Sequence, residues 1–239
     1  MQTQKNLSEG RLSVVVPVYN AKECLKQMLT SLIENTDNVG EIILVDDCSD
    51  EETRMFIDSL RMRDDSIIRL IKTRNPTHSW FTKSVNTGVR LAHCPYIAVC
   101  NSDITFSKGW DSLLIKKLET HRIACPFANG KKLDSLIERI DPEMIQGSCF
   151  MFEKKYRSML FPLPEVLVHW YSDRWLADKV NQISFVGWAG EINHLITQSG
   201  KTVKKDEYYR VITKDLVTYE QMTGKKETLI RQELGFFGS

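Results

Sequence analysis

Asp103 owes its chemical interest to what precedes it: the apolar run YIAVC, residues 96–100, reads as a buried strand and ends on Asn101, Ser102 and Asp103. A carboxylate at the mouth of a parallel-sheet strand points into the crevice beyond the sheet, where it can hold a divalent cation against a phosphate. Strands also end in Asn, Ser or Asp simply to start a turn. Here, however, the arrangement occurs twice more upstream. LSVVVPVYN, residues 12–20, and EIILVDDCSDEET, residues 41–53, are each a strand-like apolar run that ends in polar residues and leads into a helical pattern. Three strand ends of one parallel sheet would converge on one site.

The elements that must position these residues alternate along the chain. A first strand, 12–18, precedes a helix whose apolar positions Leu25, Met28, Leu29, Leu32 and Ile33 keep helical spacing, with Asn20 and Glu23 as a capping pair at its start. A second strand, 42–45, leads through Asp46 and Asp47 to a second capping pair, Ser49 with Glu52, and a helix over 53–62. A third strand is expected at 67–72, a helix at 82–92, and then the strand 96–101. Such alternation implies a parallel sheet. Beyond Asp103 the pattern predicts a helix at 110–119, strands at 145–152 and 183–188, a helix at 173–180, and a last helix over 206–222 stopped by Gly224. No internal repeat or linker interrupts it.

With 239 residues and 42% hydrophobic content, the chain suits one α/β domain: a Rossmann-like half over 1–103, a second half over 104–205 and a helical tail over 206–239. Its 32 basic and 31 acidic residues leave a net charge of +1, so there is no strong signal for nucleic acid. No apolar run approaches the ~20 residues of a membrane span, and the polar start lacks a signal-peptide core. A cytoplasmic protein is expected. Cys24, Cys48, Cys94, Cys100, Cys125 and Cys149 show no metal-ligand spacing and are expected as reduced, packed thiols. Trp110 is expected in the core, whereas Trp170 or Trp175 suits a ligand contact. The lysines Lys201, Lys204 and Lys205 read as a solvated charge run, and Phe236 and Phe237 close the tail with no assigned contact.

The order VVVPVYN, VDDCSDEET, NSD and then YSDRWLAD resembles the inverting family 2 glycosyltransferases of GT-A fold, over about residues 12–199, and RNPTHSWFTKSVNTGVRLA is closest to their rhamnosyltransferase-like branch. The resemblance implies a hexosyltransferase that takes a nucleotide-diphospho-sugar, most commonly a UDP-sugar, and a glycan or other hydroxyl acceptor. It implies a mixed central sheet with a nucleotide-binding half and an acceptor-binding half. Pro17, Tyr19 and Asn20 would run along the nucleotide, Asp47 would hydrogen-bond the base with Asp46 beside it, and Lys83 and Asn86 would contact nucleotide or sugar. Asn101 and Ser102 would lie along the donor, and Gly147 would let the backbone approach the sugar. Asp103 and His194 would hold Mn2+ or Mg2+ on the diphosphate. Asp173 would be the general base, with Asp178 as its rival. Asn101 and Ser172 stand where the family usually carries acids.

Other readings fit less well. A dinucleotide-dependent oxidoreductase needs a glycine fingerprint after the first strand, and PVYNAKE has no glycine. A nucleotidyltransferase would want a glycine- and base-rich loop there for triphosphate. The alternative that remains is a GT-A-like module that binds carbohydrate or nucleotide without turnover. Oligomeric state is left open by the sequence.

Overall fold

A computed structural model describes residues 12–64, 66–129, 144–195 and 203–226. Eight strands form one mixed sheet in the order β3-β2-β1-β4-β7-β6-β8-β5. The parallel part comprises β1 (Leu12–Val18), β2 (Val39–Asp46), β3 (Arg69–Arg74) and β4 (Tyr96–Cys100). Strand β7 (Cys149–Glu153) runs antiparallel to both β4 and β6 (Ile123–Ala128), and β8 (Gly187–His194) lies parallel to β6 and antiparallel to the three-residue β5 (Ile104–Phe106).

Strand β1 shows why its sequence is continuously apolar instead of alternating. Val14, Val16 and Val18 face one core with Leu25, Met28 and Leu32 of α1 (Lys22–Asn35), while Val15 faces the other with Val85 and Val89 of α3 (Trp80–Leu91). A strand covered by helices on both faces has no polar side, and each such buried aliphatic contributes about 1.5–3 kcal/mol. Gly88 permits the close approach of α3: a Cβ there would collide with Val15. Among the described residues the remaining α-helices are α2 (Glu51–Ser59), α4 (Trp110–Leu118), a short α5 (Arg157–Leu160), α6 (Ser172–Asn181) and α7 (Lys205–Thr223). Trp110 is fully buried, as expected for a core residue.

Several local expectations change. Ile33 is 51% exposed, because α1 buries only the narrower stripe through Leu25, Met28, Leu29 and Leu32. Asn20 does not cap α1; its side chain accepts from Asp50 N, and Ala21 in the left-handed region starts the helix. The cap of α2 is Asp50, accepting from Thr53 N, so Ser49 is freed to accept from Asn20 N. Strand β8 begins four residues later than expected and ends on His194, because Ile183 and Phe185 are exposed rather than part of a buried run. Gly147 lies in a turn before β7, closed by Cys149 N donating to Gln146 O, and not within a strand. Strands β5 and β6 were not expected; β5 is too short to show a period. Cys100, Cys125 and Cys149 are buried free thiols, but Cys48 is exposed. Among the described residues no helix is long and apolar enough to cross a membrane.

Candidate functional site

The strand order turns at β1, since β2 lies on one side of it and β4 on the other, and a crevice at the carboxyl ends of the strands is expected at such a reversal. The structure has a cleft there in two adjoining parts that share Phe81, Asn101, His169 and Tyr208. The first part, with an empty volume of about 570 Å³, takes Pro17 and Tyr19 from the end of β1, Asp47 from the end of β2, and Ser102 from the end of β4. The second, about 780 Å³, takes Asp103, Gly147, Asp173 and His194. No lysine or arginine among the described residues lines either part.

The rim is held in costly backbone. Asn20, Ala21, Cys48, Trp80 and Tyr171 all have φ between 55° and 68°, and each lies where a strand or loop hands over to the next helix. Non-glycine residues in this region cost about 1–3 kcal/mol each and persist where the surroundings over-determine them. Here the determinants are visible. Asp47 is one: Asn75 Nδ2 (2.7 Å) and Ser79 N (2.9 Å) donate to Oδ1, while Trp80 N (2.7 Å) and His78 Nδ1 (2.8 Å) donate to Oδ2. Burial alone would raise the Asp47 pKa, but the hydrogen bonds from His78, Asn75 and Ser79 outweigh it and hold the carboxyl below its ordinary range. Asp215 of α7, fully buried, does the same for the approach to α6 by accepting from the backbone N–H groups of Val168, His169 and Trp170.

Register in the sheet brings the two expected metal ligands together. Ile104 of β5 pairs with His194 of β8, and Leu195 N donates to Asp103 O, so His194 Nε2 comes to 3.3 Å from Asp103 Oδ1. A carboxylate and an imidazole are a reasonable donor pair for Mn2+ and a poorer one for Mg2+. Among the described residues no group of three or more His, Cys, Asp or Glu could hold a metal ion by itself. The pair therefore fits a cation that completes its coordination with oxygens of a ligand and water. Asn101 Oδ1, buried and without a protein partner among the described residues, lies on the shared wall of the same cleft.

Asp173 stands in the first turn of α6, with Arg174 N donating to Oδ1 at 2.8 Å. Burial pushes its carboxyl above the ordinary value, and this outweighs the backbone hydrogen bonds and the nearby Arg174 charge. Raised basicity suits a proton acceptor. The space beside the Gly147 Cα is filled by the Asp173 carboxylate, so the glycine serves Asp173 as much as any ligand. Gly147→Ala is therefore expected to displace the carboxylate and lower any turnover that depends on it by about 100-fold, with little change in melting temperature. Differential scanning fluorimetry alongside an activity assay would check both halves. Asp178, the rival, faces away: it accepts from Tyr219 Oη (2.6 Å) and pairs with Lys225.

Four expected donor contacts do not line the cleft. Asp46 accepts from Ser49 N and pairs with Arg74, which braces the β2–α2 turn. Asn86 uses both ends of its amide on the 163–165 loop, accepting from Leu163 N and donating to Leu163 O. Lys83 is exposed and lines neither part. Asn20 also acts behind the cleft, tying the turn after β1 to that after β2. Trp170 lines the second part, whereas Trp175 packs between core clusters with Lys179 over its ring. Lys204 and Lys205 are exposed at the start of α7; Lys201, Phe236 and Phe237 lie outside the described residues.

The sequence reading missed His78, Phe81, Ser84 and Tyr208 as site residues. Tyr208 comes from α7, the supposed tail, whose Leu216 and Tyr219 pack on Leu167 and Tyr171. His169 is pushed down to about 4, chiefly by burial and then by the neighbouring His78. Its folded-state pKa lies below the ordinary value near 6.5, so the unfolded chain takes up the proton first and stability falls as pH drops from about 6.5 towards 4. Urea midpoints measured across that window should decrease in the wild type and flatten in His169→Phe.

Comparison with known proteins bears on this arrangement. A family model described as glycosyl transferase family 2 matches residues 13–164. An uncharacterized glycosyltransferase of Haemophilus influenzae is 32% identical over 156 residues, which is 62% of this chain and 50% of that protein. The chain thus spans about half the length of this relative. Among solved structures, mannosyltransferase PcManGT from Pyrobaculum calidifontis in complex with GDP-Man and Mn2+ superposes with a TM-score of 0.68 at 15% identity, over 91% of this chain and 66% of that one. S. aureus TarS 1-349 in complex with UDP gives a TM-score of 0.58 at 15% identity, over 87% of this chain and 64% of that one. These likenesses are of fold, and the fold is that of GT-A glycosyltransferases.

Proposed function

The chain belongs to glycosyl transferase family 2, and from that membership we propose that it moves a sugar from a nucleotide-diphospho-sugar, a UDP-sugar first among them, to an acceptor hydroxyl with inversion. The observation that carries the reading is the convergence of the Asp103–His194 pair and the half-buried Asp173 in one part of a single cleft, next to the part that Tyr19 and Asp47 line. The acceptor oxygen bonds to the anomeric carbon as the carbon–oxygen bond to the diphosphate breaks. The electron pair leaves with the nucleoside diphosphate, and the acceptor proton passes to an Asp173 carboxylate oxygen. A divalent cation, when bound, supplies the positive charge that the diphosphate oxygens need as they depart. Asp103 and His194 would hold it. Among the described lining residues, which include no lysine or arginine, these two ligands offer a route by which the cleft could neutralise a diphosphate.

Trp170 and Tyr208 beside Asp173 offer faces on which a sugar ring could stack, which favours a glycan acceptor. His169, kept neutral by burial, can hydrogen-bond there without adding charge.

Calorimetric titration with UDP, GDP and dTDP, each with and without Mn2+, tests the donor side. Saturable UDP binding that requires Mn2+ and is lost in Asp103→Ala is expected. A folded protein that binds none of the three would refute the donor reading.

A further inference from the structure

His78 sits where a planar ligand would. Its imidazole stacks on Tyr19 with ring centroids 3.9 Å apart and 27° between planes, and the Trp80 ring lies beside it, tilted by 47° with centroids 4.5 Å apart. Its Nδ1 donates to Asp47 Oδ2 at 2.8 Å. A flat ring stacked on an aromatic face with one N–H on a buried carboxylate is the recognition pattern for a nucleobase with a ring N–H. Resting on the proposed function, we propose that His78 is a resident occupant of the nucleobase slot, which must swing out before a donor base can stack on Tyr19 and donate to Asp47.

Hydrogen-bond capacity supports this. A carboxylate offers about four acceptor positions, and Asp47 has four donors. Two of them, Ser79 N and Trp80 N, are backbone at the start of α3 and cannot leave without unwinding it. The third, Asn75 Nδ2, is buried and also donates to Ser84 Oγ at 2.9 Å. His78 alone among these donors leaves by a side-chain rotation. It is also the least committed: its Nε2 is buried without a protein partner among the described residues, a cost that rotation into solvent would relieve.

The consequence is an affinity set by population. If the slot is open in only a fraction of molecules, the apparent dissociation constant of a nucleotide is the intrinsic value divided by that fraction. An open fraction of about one tenth makes binding about tenfold weaker than the site allows. His78→Ala should then bind UDP with Mn2+ about tenfold more tightly than wild type, whereas His78→Phe, which keeps a ring in the slot, should not tighten. Inorganic pyrophosphate with Mn2+, having no base, should bind all three proteins alike.

Calorimetry on the three proteins, each confirmed as folded by circular dichroism, decides it. Unchanged or weaker UDP binding by His78→Ala would overturn the proposal and make His78 a bystander or a contact. Equal tightening by His78→Phe, or a matching gain for pyrophosphate, would overturn it too, since slot occupation would not be the cause. If UDP bound to none of them, the donor reading itself would fall and this inference with it.

Discussion

Asp173→Asn is expected to lower sugar transfer by about 10²–10⁴-fold, the usual contribution of a positioned general base, while leaving nucleoside diphosphate binding unchanged. The amide is nearly isosteric with the carboxylate. It can keep the hydrogen bond from Arg174 N and the fit beside Gly147, and it loses only the capacity to take a proton. Because burial raises the Asp173 pKa, the acidic limb of the wild-type rate profile should lie above the pH at which an ordinary aspartate ionises, with activity appearing as pH rises through it. Release of UDP from a UDP-sugar in the presence of an acceptor mixture is the assay. Full turnover by the Asn variant would remove Asp173 from the base role. A wild type that binds nucleotide but never turns over would favour the binding-module alternative.

Asp47→Ala should destabilise the protein by about 3 kcal/mol or more. The substitution strips a common acceptor from Asn75, His78 and the backbone N–H groups of Ser79 and Trp80, and each buried donor left unpaired costs about 1–3 kcal/mol. It also removes what holds Trp80 in the left-handed region at φ 68°. For a chain of this size the loss corresponds to a melting-temperature drop on the order of 10 °C. The pH dependence has a definite sign. Asp47 is depressed in the folded state, so its stabilisation is fully present above the ordinary carboxylate pKa and is lost as pH falls through the lower folded value. Chemical denaturation of wild type and Asp47→Ala at neutral and acid pH should show the gap closing as the medium becomes acidic. A stability difference within about 0.5 kcal/mol at neutral pH, the range of an ordinary surface substitution, would mean that the hydrogen bonds to Asp47 do not organise the rim.

Much of the first half was legible because its signals are local. An apolar run between polar terminators, followed by a helical period, specifies a βα unit wherever it lies, and β1 and β2 with their helices follow that pattern. The second half was harder. Ile183 and Phe185 imitate a buried strand but are exposed, while β8 itself is mostly half-exposed and shows weak alternation. Asp46, Lys83 and Asn86 carry side-chain types suited to a ligand, and nothing in their spacing reveals that Arg74, solvent and the 163–165 loop take them instead.

By itself the sequence determined the α/β class, the strand ends that form the cleft, and the candidacy of Asp47, Asp103, Asp173 and His194. Only the tertiary structure decided how they are joined. The meeting of Asp103 with His194 depends on β5 pairing with β8 across about 90 residues of chain. The saturation of Asp47 depends on a loop that returns from β3, and Tyr208 reaches the cleft because α7 docks on Leu167 and Tyr171. The strained rim uses Cys48, Trp80 and Tyr171 where a glycine would have announced the turn. Short-range patterning encodes elements; contacts between distant segments are set by packing and register, and only folding expresses those.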